Sequence, residues 1–221
     1  MTVERHEEAP HPPLAEHRAY GQMILFGDSI TQQSENQERG FAFAPALRDN
    51  YIRRLDVLNR GFSGYTSQLA LHVLPQFMPD PSHARVRLMT VFFGANDACI
   101  PGNAQHVPLD EYLANLKATL HHPAVLAHQA KVLLITPAPV DEHQLESHDL
   151  AIGYSSVQRT AANTKHYADA CRDLGKQLDV PVVDLWTIFM DAAGWKGRGP
   201  LPGAKHTKPN QVLGSLLVDG E

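Results

Sequence analysis

The chain has 221 residues and a formal net charge of −5, with 43% hydrophobic and 19% charged residues. This composition is typical of one globular domain of ordinary size. The charge is negative and no basic stripe is present, which argues against a protein that binds nucleic acid. No apolar run approaches the ~20 residues that a helix needs to cross a bilayer, so no membrane span is predicted.

The cysteines and histidines argue against two further kinds of protein. Cys99 and Cys171 are the only cysteines, too few for a disulfide framework in a chain of this length, which indicates a reducing, cytoplasmic environment. The 13 histidines are scattered and show no metal-ligand spacing, so we expect no metal site. No glycine-rich phosphate-binding motif is present, and no cofactor is expected.

The elements alternate in type along the chain. Residues 1–20 are polar, contain prolines and predict a flexible tail, followed by one domain over 21–221. In chain order we predict a strand over 22–27, a helix over 41–54, a strand over 55–59, a helix over 66–77, a strand over 86–93, a helix over 111–121, a strand over 131–136, a helix over 158–178 and a strand over 181–185. Thr66 or Ser67, and Asp110, are the expected N-caps. This alternation predicts an α/β sandwich of three layers around a parallel sheet of about five strands.

Three glycine-bearing segments, 27–29 (GDS), 61–66 (GFSGYT) and 94–97 (GAND), each follow a predicted strand directly. The carboxyl ends of parallel strands meet at one edge, so we expect the segments to converge there. Ser29 is then placed as a nucleophile. The Ser29 N–H, the Gly64 N–H and the Asn96 carboxamide are placed as donors to a developing oxyanion. Each segment alone is also explained as a cap or a tight turn, whereas their combination favours acyl transfer.

The sequence resembles the GDSL or SGNH hydrolase superfamily, and within it the isoamyl acetate-hydrolysing esterases. The resemblance rests on LFGDSIT (25–31), RGFSGYTS (60–67) and FFGANDAC (92–99), with VPLDEY (107–112) and Gly153-Tyr154 in addition. It implies a flavodoxin-like sandwich and hydrolysis of small-molecule esters with short acyl groups, such as acetates. It also implies that Ser29 is the nucleophile and that the Ser29 amide, Gly64 and Asn96 line the oxyanion hole.

The last motif of this family is Asp-x-x-His, followed by a closing helix. Asp219 and Gly220 match it, Glu221 takes the next place, and the sequence ends where the histidine would follow. By the resemblance, Asp219 orients the base. A serine without a base is a weak nucleophile, so we expect impaired turnover in a chain that lacks the histidine. We also expect an apolar strip to stay uncovered without the closing helix.

Other histidines offer no clear substitute for that base. His83, three residues after Asp80, matches the motif only by chance, because it precedes the third strand and so lies at the opposite end of the sheet. His143, His148 and His206 are assigned to loops, where histidines are usually solvated.

Two alternatives to this esterase stay open. One is a non-catalytic binding protein that retains the ester pocket. The other is a carbohydrate O-acetylesterase, which shares the mechanism and differs in substrate. Phe41, Phe43 and Tyr65 lie near the expected rim. They fit an apolar acyl or alcohol site and fit core positions equally well.

Overall fold

The computed structural model describes residues 20–217, except for the side chain of Arg39. Within them, one parallel sheet contains β1 (Gly21–Gly27), β2 (Leu55–Gly61), β3 (Val86–Phe92), β4 (Lys131–Ile135) and β5 (Val182–Val183). The order across the sheet is β2-β1-β3-β4-β5, and all neighbours are parallel. This is the flavodoxin-like order. The predicted α/β fold with a five-stranded parallel sheet is therefore confirmed.

The α-helices of residues 20–217 are α1 (Ser29–Gln33), α2 (Phe43–Asn50), α3 (Ser67–Phe77), α4 (Leu109–Leu120), α5 (Pro123–Leu126), α6 (Glu142–Ala151), α7 (Ala161–Leu178), α8 (Leu185–Ala192) and α9 (Gln211–Leu216). None of them is long and apolar enough to cross a membrane. The four predicted helices correspond to α2, α3, α4 and α7. Four of the other five have eight residues or fewer, and the fifth, α6, is mostly polar, so none of the five was predicted from apolar periodicity.

Helix caps and ends account for the differences from the sequence prediction. Thr66 caps α3 as expected and accepts a hydrogen bond from the Leu69 N–H at 3.4 Å. Asp110 is not an N-cap, because α4 begins at Leu109 and Asp110 lies in its first turn. There its negative charge interacts favourably with the helix dipole. The fifth strand is shorter than predicted because Asp184 caps α8, which begins at Leu185.

Side chains of β1 alternate between two cores, one on each face of the sheet. Ile24 and Phe26 belong to the larger core, to which α3, α4 and α7 contribute. Met23 and Leu25 belong to a smaller core that contains Ala44 from α2. Successive side chains of a strand point to opposite faces of the sheet, and both faces of β1 are packed against helices. The structure therefore has the three predicted layers. The last motif, and nearly all of the predicted tail, lie outside the described residues.

The three strands that precede the predicted site end at the same level. Gly27, the last residue of β1, pairs with Gly61 of β2 and with Phe92 of β3. The chain therefore leaves the sheet three times at adjacent points on one edge. Ser29 stands two positions after such an exit and Asn96 four positions after another.

A close backbone contact holds α1 against the end of β2. A Cβ atom at Gly61 would lie only 2.0 Å from the Gln32 backbone N and 2.4 Å from its Cα. Asn59, two residues earlier, donates from Nδ2 to the Thr31 carbonyl at 2.8 Å and accepts the Gly61 N–H at 2.8 Å. Together these contacts hold α1, which begins with Ser29, in place on the sheet.

We expect Gly61→Ala to lower the free energy of unfolding by about 1–3 kcal/mol or more, because a methyl group there meets rigid backbone. Gly21→Ala is the matched control at the beginning of β1. Its Cβ would lie 2.6 Å from Arg87 Cγ, which belongs to an exposed side chain able to rotate away. Denaturant unfolding measures both variants. Equal losses of stability would contradict the role given to the backbone contact.

Candidate active site

A cavity of about 680 Å³ lies at the edge of the sheet where β1 and β3 end. Ser29, Gly64 and Asn96 all line it, so the structure brings these three predicted site residues together. The β1–β3 boundary is also where the strand order of a flavodoxin-like sheet reverses, and ligands of such sheets bind in this crevice.

Ser29 is the first residue of α1 and follows the N-cap Asp28. Asp28 is fully buried, and its Oδ1 accepts the Ile30 N–H at 3.0 Å. The N–H of a first helical residue has no acceptor inside its own helix. Ser29 lines the cavity, and within the described residues no protein group bonds to its N–H or its hydroxyl.

Gly64 adopts a positive φ of 79°, a conformation that glycine takes without steric cost. Its carbonyl accepts a hydrogen bond from Gln105 Nε2 at 3.1 Å. The preceding N–H, that of Ser63, donates to Gln32 Oε1 at 2.7 Å. In the described part of the chain, no protein acceptor bonds to the Gly64 N–H, so it can donate to a molecule in the cavity.

Asn96 is 97% buried, and both the oxygen and the nitrogen of its carboxamide are held by hydrogen bonds. Its Oδ1 accepts a hydrogen bond from Arg159 Nη2 at 3.0 Å, and its Nδ2 donates to the Tyr65 carbonyl at 2.8 Å. Arginine only donates and a carbonyl only accepts, so these neighbours determine which atom is the oxygen and which the nitrogen. One proton of Nδ2 remains to serve a ligand of the cavity.

Asp97 connects two of the three segments from behind the cavity. Its carboxylate, with no exposed surface, accepts the Ser67 backbone N–H at 3.0 Å and also bonds the Ser67 hydroxyl. Asn115 Nδ2 in turn donates to Ser67 Oγ at 3.1 Å. Burial raises the pKa of Asp97 to about 6, although the bonds from Ser67 oppose that rise.

The histidines are placed differently from expectation. His143 and His148 lie on α6, so the prediction that they are in a loop is wrong; Asp141 starts this helix by accepting the His143 N–H at 2.9 Å. His148 lines the cavity, with Nδ1 3.6 Å from Asp149 Oδ1. His206 lies in a loop, as predicted.

The predicted orienting residue of the base, Asp219, lies outside the described residues. Within residues 20–217, no histidine ring bonds to the Ser29 hydroxyl, and no group of three His, Cys, Asp or Glu side chains is arranged to hold a metal ion.

Aromatic and polar wall residues complete the site. Phe41 and Phe43 line the cavity, whereas the Tyr65 ring packs beside the larger core against the Phe62 ring, with 5.1 Å between ring centroids and an angle of 31° between the ring planes. Sequence reasoning missed Gln105 and Arg159, which hold Gly64 and Asn96. Nothing in the sequence distinguishes them, because polar side chains far from any motif are usually solvated.

Residues 25–210 match the model of the GDSL-like lipase/acylhydrolase family. The human isoamyl acetate-hydrolyzing esterase 1 homolog is 37% identical over 201 residues, which cover 88% of this chain and 79% of that protein. The isoamyl acetate-hydrolyzing esterase of Saccharomyces cerevisiae is 35% identical over 184 residues, which cover 79% of this chain and 74% of that protein. A crystal structure of the lipase/acylhydrolase from Enterococcus faecalis is similar with a TM-score of 0.56 and 25% identity, covering 76% of this chain and 78% of the other.

Asp97 is expected to make stability depend on pH. Burial raises the pKa of Asp97 from 3.8 to about 6, so between these two pH values the folded protein binds this proton more tightly than the unfolded chain does. Its contribution to the free energy of unfolding therefore falls as pH rises from about 4 to 6. Asp97→Asn removes this dependence, so the variant gains roughly 2 kcal/mol relative to wild type between pH 4 and pH 7.

Denaturant unfolding of both proteins at a series of pH values checks this expectation. A constant difference in unfolding free energy between the two proteins across the series would contradict it.

Proposed function

The chain belongs to the GDSL-like lipase/acylhydrolase family and is an ester hydrolase, and we propose that it cleaves esters of short acyl groups through an acyl-enzyme on Ser29. One observation supports this mechanism most directly: Ser29, Gly64 and Asn96 border the same cavity. A hydroxyl and three N–H donors then face one space, as acyl transfer requires.

In the first half of the reaction, Ser29 Oγ attacks the carbonyl carbon of the ester and gives its proton to a base. The carbonyl oxygen becomes an oxyanion, which accepts hydrogen bonds from the Ser29 N–H, the Gly64 N–H and Asn96 Nδ2. These donors are already held in place, so they need no reorganisation when the charge develops. The bond to the alcohol oxygen then breaks, and the alcohol leaves with the proton from the base.

In the second half, water attacks the acyl group on Ser29 and gives a proton to the same base. The same donors stabilise the second oxyanion, and the carboxylic acid leaves as Ser29 Oγ recovers its proton. By the resemblance, the base is a histidine oriented by Asp219.

The rim of the cavity supports an apolar substrate. Four large apolar side chains line the cavity while remaining more than 40% exposed: Phe41, Ile152, Tyr154 and Leu216. Such exposed surface gains free energy when an apolar group covers it. Two relatives are named for the hydrolysis of isoamyl acetate, an ester of an apolar alcohol. We therefore propose a short-chain alkyl ester as the substrate rather than a carbohydrate acetate.

In a version of the chain extended by a histidine directly after Glu221, Ser29→Ala is expected to abolish hydrolysis of p-nitrophenyl acetate, with a loss on the order of 10³-fold or more, because the variant has no nucleophile. Ser63→Ala is the matched control, since Ser63 is a second serine of the same cavity, and it should keep most of the activity. The released nitrophenolate is followed by absorbance.

A different result would favour another function. Binding of alkyl esters without Ser29-dependent turnover, in every form of the chain, would indicate a binding protein that retains the pocket. Turnover unaffected by Ser29→Ala would reject the acyl-enzyme mechanism.

A base is needed for rapid turnover, so adding one is a direct test. We expect a version extended by a histidine directly after Glu221 to hydrolyse p-nitrophenyl acetate at least ~10²-fold faster than the 221-residue chain, the usual gain from general base catalysis. The control is the same extension with alanine in place of histidine. Equal, robust rates that vanish in Ser29→Ala would mean that residues 1–221 already contain the base, and His148 would be the first residue to test.

A further inference from the structure

We propose that Arg159 is a positioning residue for the oxyanion hole: it holds the Asn96 carboxamide in the one orientation that donates to the substrate. The inference rests on the proposed role of Asn96. Arg159 belongs to none of the three glycine-bearing segments, and it enters the site from a stretch of chain more than sixty residues after Asn96.

The guanidinium group of Arg159 bonds two neighbouring residues of the GAND segment. Nε donates to the Ala95 carbonyl at 2.8 Å, and Nη2 donates to Asn96 Oδ1 at 3.0 Å. A planar guanidinium presents its donors at fixed spacing, so it places a side-chain oxygen relative to the backbone. Arg159 is 91% buried, so little water competes for these bonds.

This arrangement matters because the two ends of a carboxamide differ: the oxygen accepts hydrogen bonds, whereas the NH₂ group donates them. Rotated by half a turn, Asn96 would present its oxygen where the oxyanion forms, and the two oxygens would repel each other. In the rotated form the Nδ2 group would face Arg159, placing donor against donor, and Oδ1 would face the Tyr65 carbonyl, placing acceptor against acceptor. Arg159 and Tyr65 thus both favour the orientation that directs an N–H into the cavity.

Arg159 is itself held on a rigid part of the chain. It pairs with Cys99 in an isolated antiparallel bridge. The adjacent Gln158 donates its N–H to the buried Asp149 carboxylate at 2.7 Å and accepts the Ile100 N–H at 2.8 Å. Immediately afterwards Thr160 caps α7. The guanidinium therefore has little freedom to follow a rotating carboxamide.

The first test observes Asn96 directly and needs no turnover. In ¹⁵N-labelled protein, the Nδ2 resonances of Asn96 are identified by their disappearance in Asn96→Ala. Arg159→Met, which keeps the length of the side chain but no donor, should shift these resonances and accelerate their exchange with solvent. Arg172→Met is the matched control, because Arg172 bonds Asp169 and Asp184 and does not line the cavity. Asn96 resonances that respond no more to Arg159→Met than to Arg172→Met would overturn the proposal.

The second test is a double-mutant cycle with p-nitrophenyl acetate. Asn96→Ala should lower kcat by about 10²-fold, and Arg159→Met by at least ~10-fold with little change in KM, because an oxyanion donor acts in the transition state. If Arg159 acts through Asn96, the double variant should be no slower than Asn96→Ala alone. Losses that multiply in the double variant would show that Arg159 acts independently, which overturns the positioning role.

Two further variants make the outcomes distinguishable. Arg159→Lys keeps the charge but not the planar fork, and it should recover only part of the activity lost in Arg159→Met. If circular dichroism shows that Arg159→Met does not fold, both tests are done with Arg159→Lys instead. Turnover that persists in Ser29→Ala would reject the proposed acyl-enzyme mechanism. The Asn96 resonances would still show whether Arg159 determines the orientation of the Asn96 carboxamide.

Discussion

The level pairing of three parallel strands is the constraint on which the rest of this structure depends. Gly27 of β1 pairs with Gly61 on one side and with Phe92 on the other, so three loops start from neighbouring points on one edge. The hydrogen bonds of the sheet determine this level, since a shift by one residue would turn every side chain of β1 to the opposite core. The same strand register therefore determines both the position of the site and the packing of the two cores.

Beyond the last hydrogen bonds of the sheet, side-chain hydrogen bonds hold the segments that follow the strands. Asn59 holds the Thr31 carbonyl of α1, Asp97 holds the start of α3, and Arg159 holds both Ala95 and Asn96. Asp97 and Arg159 bond to atoms of Ser67, Ala95 and Asn96 that would otherwise lose hydrogen bonds on burial. Because donors face acceptors throughout, the network selects one arrangement of the donors at the cavity, which is what electrostatic stabilisation of an oxyanion requires.

Prediction from sequence succeeded where periodicity extended over many residues. The five strands and the four predicted helices follow from apolar runs and from a 3.6-residue pattern, and they suffice to predict a parallel sheet between two layers of helices. Short helices were missed because a segment such as α6 buries little besides Leu145 and Asp149, so its polar sequence reads as a loop. That error placed His143 and His148 in a loop, whereas both lie on α6 and His148 lines the cavity.

The sequence by itself determined the family, the parallel sheet and the three segments that line the site, because each is encoded by neighbouring residues: an apolar strand followed at once by glycine and a polar group. The tertiary structure alone decided which distant side chains hold those segments. Gln105 and Arg159 reach Gly64 and Asn96 across 41 and 63 residues of chain. A hydrogen bond depends on distance in space and on the direction of donor and acceptor, and neither quantity is readable along a chain before it folds.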